Sequence, residues 1–218
     1  MRVIGILGGT FDPVHVAHLA MAEAFARALS LDEVRFMPAS QPWQKDALHA
    51  TVLQRLDMLN AALRTLDDPA TRYSVDTREV ERPGKTYTID TLRAMRAEFG
   101  PSVSLVFLIG ADQLEHFDTW KDWVALWDYA HLAAVSRPGF SLTHVPPAVE
   151  REWTARSAGA DAIRTTAAGG SFLLEGLAMN VSATEIRAAL AQRDDASVAR
   201  LVPAGVLDYI RLHRLYKN

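Results

Sequence analysis

Two histidines three residues apart, His15 and His18, follow a glycine pair in the stretch GGTFDPVHVAH, residues 8–18. A three-residue step turns an α-helix by ~300°, so both rings would share one face at the head of a helix. A helix N-terminus already favours an anion through its N–H groups and macrodipole. Two imidazoles added there are donors that can follow a phosphate as its charge shifts. Gly8 and Gly9 would let the backbone approach a ligand closely and take positive φ, with Asp12 and Pro13 bending the chain before the helix. The glycines at 5, 8 and 9 make neither the dinucleotide fingerprint nor a P-loop. Two other readings compete. One histidine could cap the helix while the other sits in the core, or the pair could bind zinc, although no H-E-x-x-H frame or third ligand stands nearby.

Four further segments carry chemistry-bearing residues. TEIR opens a helix whose amides, with the Ser182 and Thr184 hydroxyls and the Arg187 cation, could hold a polyphosphate. Ser182 with Glu185 three residues on equally describes an ordinary capping box. GKTYTIDTL, residues 84–92, offers Thr86, Tyr87 and Thr88 where a loop enters a helix, a place that suits a carboxylate or a phosphate, or simply a capped helix with a packed tyrosine. LIGADQLEHFDTW, residues 108–120, follows the most apolar strand and sets Gly110 and Asp112 at its carboxyl end, where Asp112 could accept from ribose hydroxyls. Trp120, Trp123 and Trp127 recur at helical spacing, a stripe that reads as core or as ligand wall; His116 reads as structural. Arg137 closes the fifth strand in SRPG, again at a strand's carboxyl end.

The elements that must position these residues alternate. Strands are predicted at 2–7, 33–37, 72–76, 103–109 and 131–135, with helices at about 16–29, 52–66, 87–99 and 120–128. The fourth and fifth strands are almost continuously apolar, as strands buried on both faces of a parallel sheet must be. This order predicts an α/β fold: a Rossmann-like, doubly wound, mainly parallel sheet with helices on both faces. In such sheets ligands bind at the carboxyl ends of the strands. From about 138 the pattern becomes more irregular. A surface helix at 145–156, an irregular stretch from 157, a late FLLE strand, and helices at 181–193 and 204–215 are expected. The 218 residues read as one domain, with no internal repeat.

Composition narrows the function. Charge is nearly balanced, with 23 basic and 26 acidic residues and a pI near 6.2, against a general nucleic-acid coat. Without cysteine there are no disulfides, thiolate metal sites or cysteine nucleophiles. No apolar run is long enough to span a membrane, and no signal peptide is evident, so a cytoplasmic protein, monomer or homo-oligomer, is expected.

GGTFDPVHVAH resembles the signature of the nucleotidyltransferase superfamily with an H-x-G-H type motif, and VSATEIR its second, S-x-T-x-x-R-like motif. With YTIDTL, IGAD, TW and RPG between them in order, the chain is similar to bacterial nicotinate-nucleotide adenylyltransferases from residue 3 to about 216. Ala17 stands where that family usually has glycine, and PWQK, residues 42–45, where many members carry a Pro-Pro-His-Lys/Arg type loop. The resemblance implies transfer of AMP from ATP, with Mg²⁺, to nicotinate mononucleotide. It implies catalytic roles for His15, His18 and Arg187, and ATP contacts from Gly8, Gly9, Thr10, Phe11, Gly110, Asp112, Arg137, Ser182 and Thr184. Lys45, Thr86, Tyr87, Thr88 and Trp120 would meet the mononucleotide, with Tyr87 and Thr88 toward the pyridine carboxylate and Trp120 stacking on the ring. No protein metal site is implied. Alternatives are an acceptor of nicotinamide mononucleotide or phosphopantetheine type, a non-catalytic nucleotide sensor, or a class I aminoacyl-tRNA synthetase relative.

Overall fold

The computed structural model describes residues 1–40, 48–82, 84–177 and 181–217. Six strands form one sheet: β1 (Arg2–Gly9), β2 (Glu33–Pro38), β3 (Arg72–Val75), β4 (Val103–Gly110), β5 (His131–Val135) and β6 (Ser171–Leu174). Their order is β3-β2-β1-β4-β5-β6, and each neighbouring pair is parallel. The order reverses between β1 and β4, which pair from Arg2↔Val103 to Leu7↔Leu108. That reversal leaves a crevice outside the carboxyl ends of the two strands.

Alternation along the central strands explains their unbroken apolar sequences. Val3 and Leu7 of β1, with Val106 and Leu108 of β4, face one core. Helices α1 (Val16–Leu29), α2 (Val52–Leu63), α7 (Ala183–Ala191) and α9 (Ala204–Leu212) cover it through Phe25, Met58, Ile186 and Ile210. Ile4, Ile6, Leu105 and Phe107 face the other, covered by Leu92 and Met95 of α4 (Thr88–Phe99) and by Trp153 of α5 (Pro147–Ala155). Each such side chain withdrawn from water contributes roughly 1.5–3 kcal/mol.

Several elements differ from expectation. The tryptophan stripe is not an α-helix: 3₁₀ segments run over Ala111–Thr119 and Trp123–Asp128, separated by a left-handed Asp122 with φ 49°. Trp120 lies between the two, which frees its ring from the stripe. Gly8 and Gly9 do not take positive φ. They end β1, and the left-handed residue of the turn is Phe11, with φ 49°. The stretch after 157, expected to be irregular, contains α6 (Ala160–Thr165), which buries Ile163; six residues are too few for a helical period to register. Two more short helices, α3 (Arg78–Glu81) and α8 (Asp195–Val198), escaped for the same reason. The expected helices at 52–66 and 204–215 end earlier, at Leu63 and Leu212.

Candidate active site

A cleft of about 720 Å³ opens at the carboxyl ends of β1 and β4. His15 is the N-cap of α1 and His18 its third residue, and both line this cleft. Their rings stack, with centroids 3.7 Å apart and planes 23° from parallel. The His15 backbone N–H donates to His18 Nδ1 at 3.2 Å, so the neutral His18 ring carries its proton on Nε2. Phe11, fully buried, supports His18 edge-on at 5.0 Å and packs on Phe36 behind it. A Cβ on Gly9 would meet the Phe11 ring at 3.0 Å, so glycine here serves close packing of the turn. The Val16 N–H at the head of α1 donates to the Leu201 carbonyl at 2.9 Å.

The same cleft gathers most of the other expected residues. Gly8, Gly9 and Thr10 come from the β1 turn, and Gly110 and Asp112 from the end of β4. A Cβ on Gly110 would collide with Asp112 Oδ1, so only glycine lets that carboxylate fold back over the strand end. Ser182 enters from α7 on one face of the sheet and Thr88 and Trp120 from the other, with Thr86 and Arg137 also lining the cleft. The Trp120 ring rests against Phe107 and Phe117, 6.1 and 5.1 Å away, which fixes its plane at the cleft. Ser182 caps α7: its Oγ accepts from the Glu185 N–H at 3.2 Å, the capping-box arrangement.

Four residues reach the site differently. Phe11 supports the turn from the core. Tyr87 is the N-cap of α4 and sits under the Lys121 ammonium, 4.7 Å from its ring centre. Thr184 and Arg187 stand on α7 behind the cleft wall: Arg187 Nη2 donates to Thr184 Oγ1 at 3.3 Å, and Nη1 to the Asp12 carbonyl at 2.7 Å. Lys45, with the rest of PWQK, lies outside the described residues.

Sequence reading missed the support beneath the turn. The Asp12 carboxylate is buried and accepts from the Tyr216 hydroxyl at 2.7 Å and from the His49 and Ala50 N–H groups at 2.8 and 3.1 Å. Arg55, fully buried in α2, donates from Nη1 to the Thr10 and Ala39 carbonyls, each at 2.8 Å. Burial pushes the Arg55 guanidinium pKa down, against the opposing pull of the Asp12 charge. Burial and the Asp12 carboxylate drive the Tyr216 phenol pKa far up, so it remains a donor. Glu79 was also missed. It lines the cleft, accepts from Thr91 Oγ1 at 2.7 Å, and has its carboxyl pKa raised by burial. Its helix of four residues left no periodic signal. Among the described residues no group of three His, Cys, Asp or Glu side chains could hold a metal ion.

A switch-point cleft with paired imidazoles, a capped helix and a carboxylate at the end of β4 fits nucleotide chemistry, and the relatives decide the family. Residues 6–189 match the family described as Cytidylyltransferase-like. A protein of Herminiimonas arsenicoxydans, described as a probable nicotinate-nucleotide adenylyltransferase, is 48% identical over 219 residues, covering 100% of this chain and 98% of its own length. One from Chromobacterium violaceum, described in the same words, is 46% identical over 215 residues, covering 98% of both chains. The chain belongs to the nicotinate-nucleotide adenylyltransferase family. The fold agrees: nicotinic acid mononucleotide adenylyltransferase of Plasmodium falciparum, solved in complex with NaAD, superposes with a TM-score of 0.78 at 17% identity, over 99% of this chain and 98% of that one. Within this family the chain carries His-Val-Ala-His at 15–18, and the Ala17 methyl is part of the cleft wall.

Proposed function

We propose that this enzyme transfers AMP from ATP to nicotinate mononucleotide, giving deamido-NAD and pyrophosphate. The observation that carries the reading is the stacked His15–His18 pair on a cleft whose two walls bear different chemistry. Asp112, Arg137 and Ser182 offer a carboxylate for ribose hydroxyls, a cation and a helix start, a set suited to ATP. Thr86, Thr88 and Trp120 offer hydroxyls at the N-terminus of α4 and a fixed aromatic plane, a set suited to a pyridine carboxylate. By family position, Lys45 and Tyr87 serve the mononucleotide, and Gly8, Gly9, Thr10, Gly110 and Thr184 serve ATP, with Phe11 supporting the turn from the core.

In the reaction an oxygen of the mononucleotide 5′-phosphate forms a bond to the α-phosphorus as the bond to the β-phosphate bridging oxygen breaks. The nucleophile is already an anion and pyrophosphate leaves as one, so no general base is required and catalysis rests on alignment and charge neutralisation. His18, protonated at Nε2, donates to the α-phosphate as its charge grows, while the stacked His15 holds the ring plane. Gly8 leaves the cleft beside Phe107 free of a side chain, and Gly9 lets Phe11 pack beneath the turn. Arg187 ties α7 to the turn and adds positive charge behind the phosphates. Magnesium carried by ATP would neutralise phosphate charge, held by phosphate oxygens and water. No helix among the described residues is long and apolar enough to cross a membrane, and the proposal places the reaction in the cytoplasm, where ATP is available.

A pyrophosphate-release assay with Mg²⁺–ATP and nicotinate mononucleotide, nicotinamide mononucleotide or phosphopantetheine tests the reading. Turnover is expected with the first, at a kcat/KM at least about tenfold above the amide, the worth of one lost charged contact. Preference for either of the other acceptors would overturn the substrate assignment, and no release with any would overturn the enzyme.

A further inference from the structure

The segment following α9 returns to the underside of the first turn, and its Tyr216 is not among the residues that line the cleft. Tyr216 sits there with φ 61°, two residues after Arg214 with φ 53°. Left-handed backbone is disfavoured for residues with a Cβ, and it persists where surrounding contacts over-determine it. The contact here is specific. Tyr216 Oη donates to Asp12 Oδ1 at 2.7 Å, bridging 204 positions of sequence, and its ring stands 6.4 Å from that of His49, edge-on.

Asp12 is the hub of this arrangement. Its Oδ1 also accepts from the Ala50 N–H and its Oδ2 from the His49 N–H, while its backbone carbonyl accepts from Arg187. Arg55, whose charge Asp12 offsets, clamps the carbonyls of Thr10 and Ala39. Asp12 thus joins the glycine turn, the start of α2, α7 and the segment after α9. It lies three residues before His15 and six before His18. A shift of its carboxylate passes directly into the orientation of both rings. Two backbone amides hold it from the stretch before α2, one at exposed His49 and one at buried Ala50; the half-buried phenol of Tyr216 is a donor from a separate element.

We propose that Tyr216 is a positioning residue for this reaction: by holding the Asp12 carboxylate, its phenol keeps the turn and the histidine pair aligned with the reacting phosphate. It touches neither substrate. The inference rests on the reaction proposed above but not on the identity of the acceptor. Loss of alignment alone should lower turnover while leaving ground-state binding in place.

The test is Tyr216→Phe in the full chain, which keeps the ring against His49 and removes only the hydroxyl. Thermal melting first fixes a temperature at which both proteins are folded. There, kcat is expected to fall about tenfold with both KM values within about twofold, the pattern of misalignment. Amide exchange across residues 8–18 and at 49–50 is expected to rise about fivefold. A kcat within about twofold of wild type, or a KM rise at unchanged kcat, would overturn the proposal. If the wild-type chain releases pyrophosphate only with another acceptor, the comparison is made with that acceptor. If it releases none, the proposed reaction fails, and exchange at 8–18 still decides whether Tyr216 holds the turn: unchanged exchange rejects it.

Discussion

Arg187 Nη1 donates to the carbonyl of Asp12 at 2.7 Å, joining two motifs 175 positions apart in sequence. The second motif therefore braces the turn of the first as well as adding charge near it. One guanidinium does both because its planar fork reaches Thr184 Oγ1 through Nη2 at the same time.

Arg187→Lys should retain the charge and lose the fork. A kcat lower by about tenfold to a hundredfold is expected, about 1.4–2.7 kcal/mol of barrier, with little change in melting temperature. Wild-type turnover from the lysine variant, measured by pyrophosphate release, would show that charge alone suffices.

Trp120→Ala should act at the other wall. The ring is held by Phe107 and Phe117 and forms a flat surface at the cleft, so its loss should raise KM for the mononucleotide about tenfold, as expected for one stacking partner worth ~1–1.5 kcal/mol. KM for ATP should stay unchanged. A shift in the ATP constant instead would reverse the assignment of the two walls.

The strands and the histidine pair were legible because their signals are local. VSLVFLI is apolar on both faces except at Ser104 because β4 is central and covered on both sides, and an i, i+3 histidine pair needs nothing beyond the helix that follows it. The tryptophan stripe misled because a spacing of three and four fits an α-helix as well as two 3₁₀ turns broken at Asp122. Arg55 and Tyr216 were not legible at all. Each gains its role from a partner 45 or 204 positions away, and an arginine in an amphipathic helix reads as surface until the Thr10 and Ala39 carbonyls are seen beneath it. Asp12 was read as a bend residue, with its carboxylate unassigned.

Arg55→Met tests that buried charge. The change removes the donor to two carbonyls and leaves Asp12 without its compensating cation, so urea unfolding should show a loss of about 3–5 kcal/mol. A loss below about 1 kcal/mol, typical of a surface pair, would mean that solvent already screens the site.

His131 gives the fold a defined pH response. Its Nδ1 accepts from the Gly170 N–H at 2.8 Å, so Nε2 donates to the Thr166 carbonyl at 2.9 Å, and the ring is held neutral. Burial pushes its pKa below the ordinary value, with the bond to Thr166 opposing. The unfolded chain then takes up this proton first as pH falls through ~6.5. The stabilisation is complete above that pH and is lost as pH drops toward the depressed folded value. Unfolding free energy measured between about pH 8 and 5 should fall more steeply for wild type than for His131→Asn. Parallel curves would remove His131 from the response.

The central claim is that His18, its ring held by His15, donates to the α-phosphate during transfer, and His18→Ala examines it most directly. Pyrophosphate release with saturating Mg²⁺–ATP and nicotinate mononucleotide should drop by about a hundredfold or more, while the ATP dissociation constant stays within about threefold of wild type. Turnover near wild type, or equal losses in ATP affinity and rate, would contradict the account.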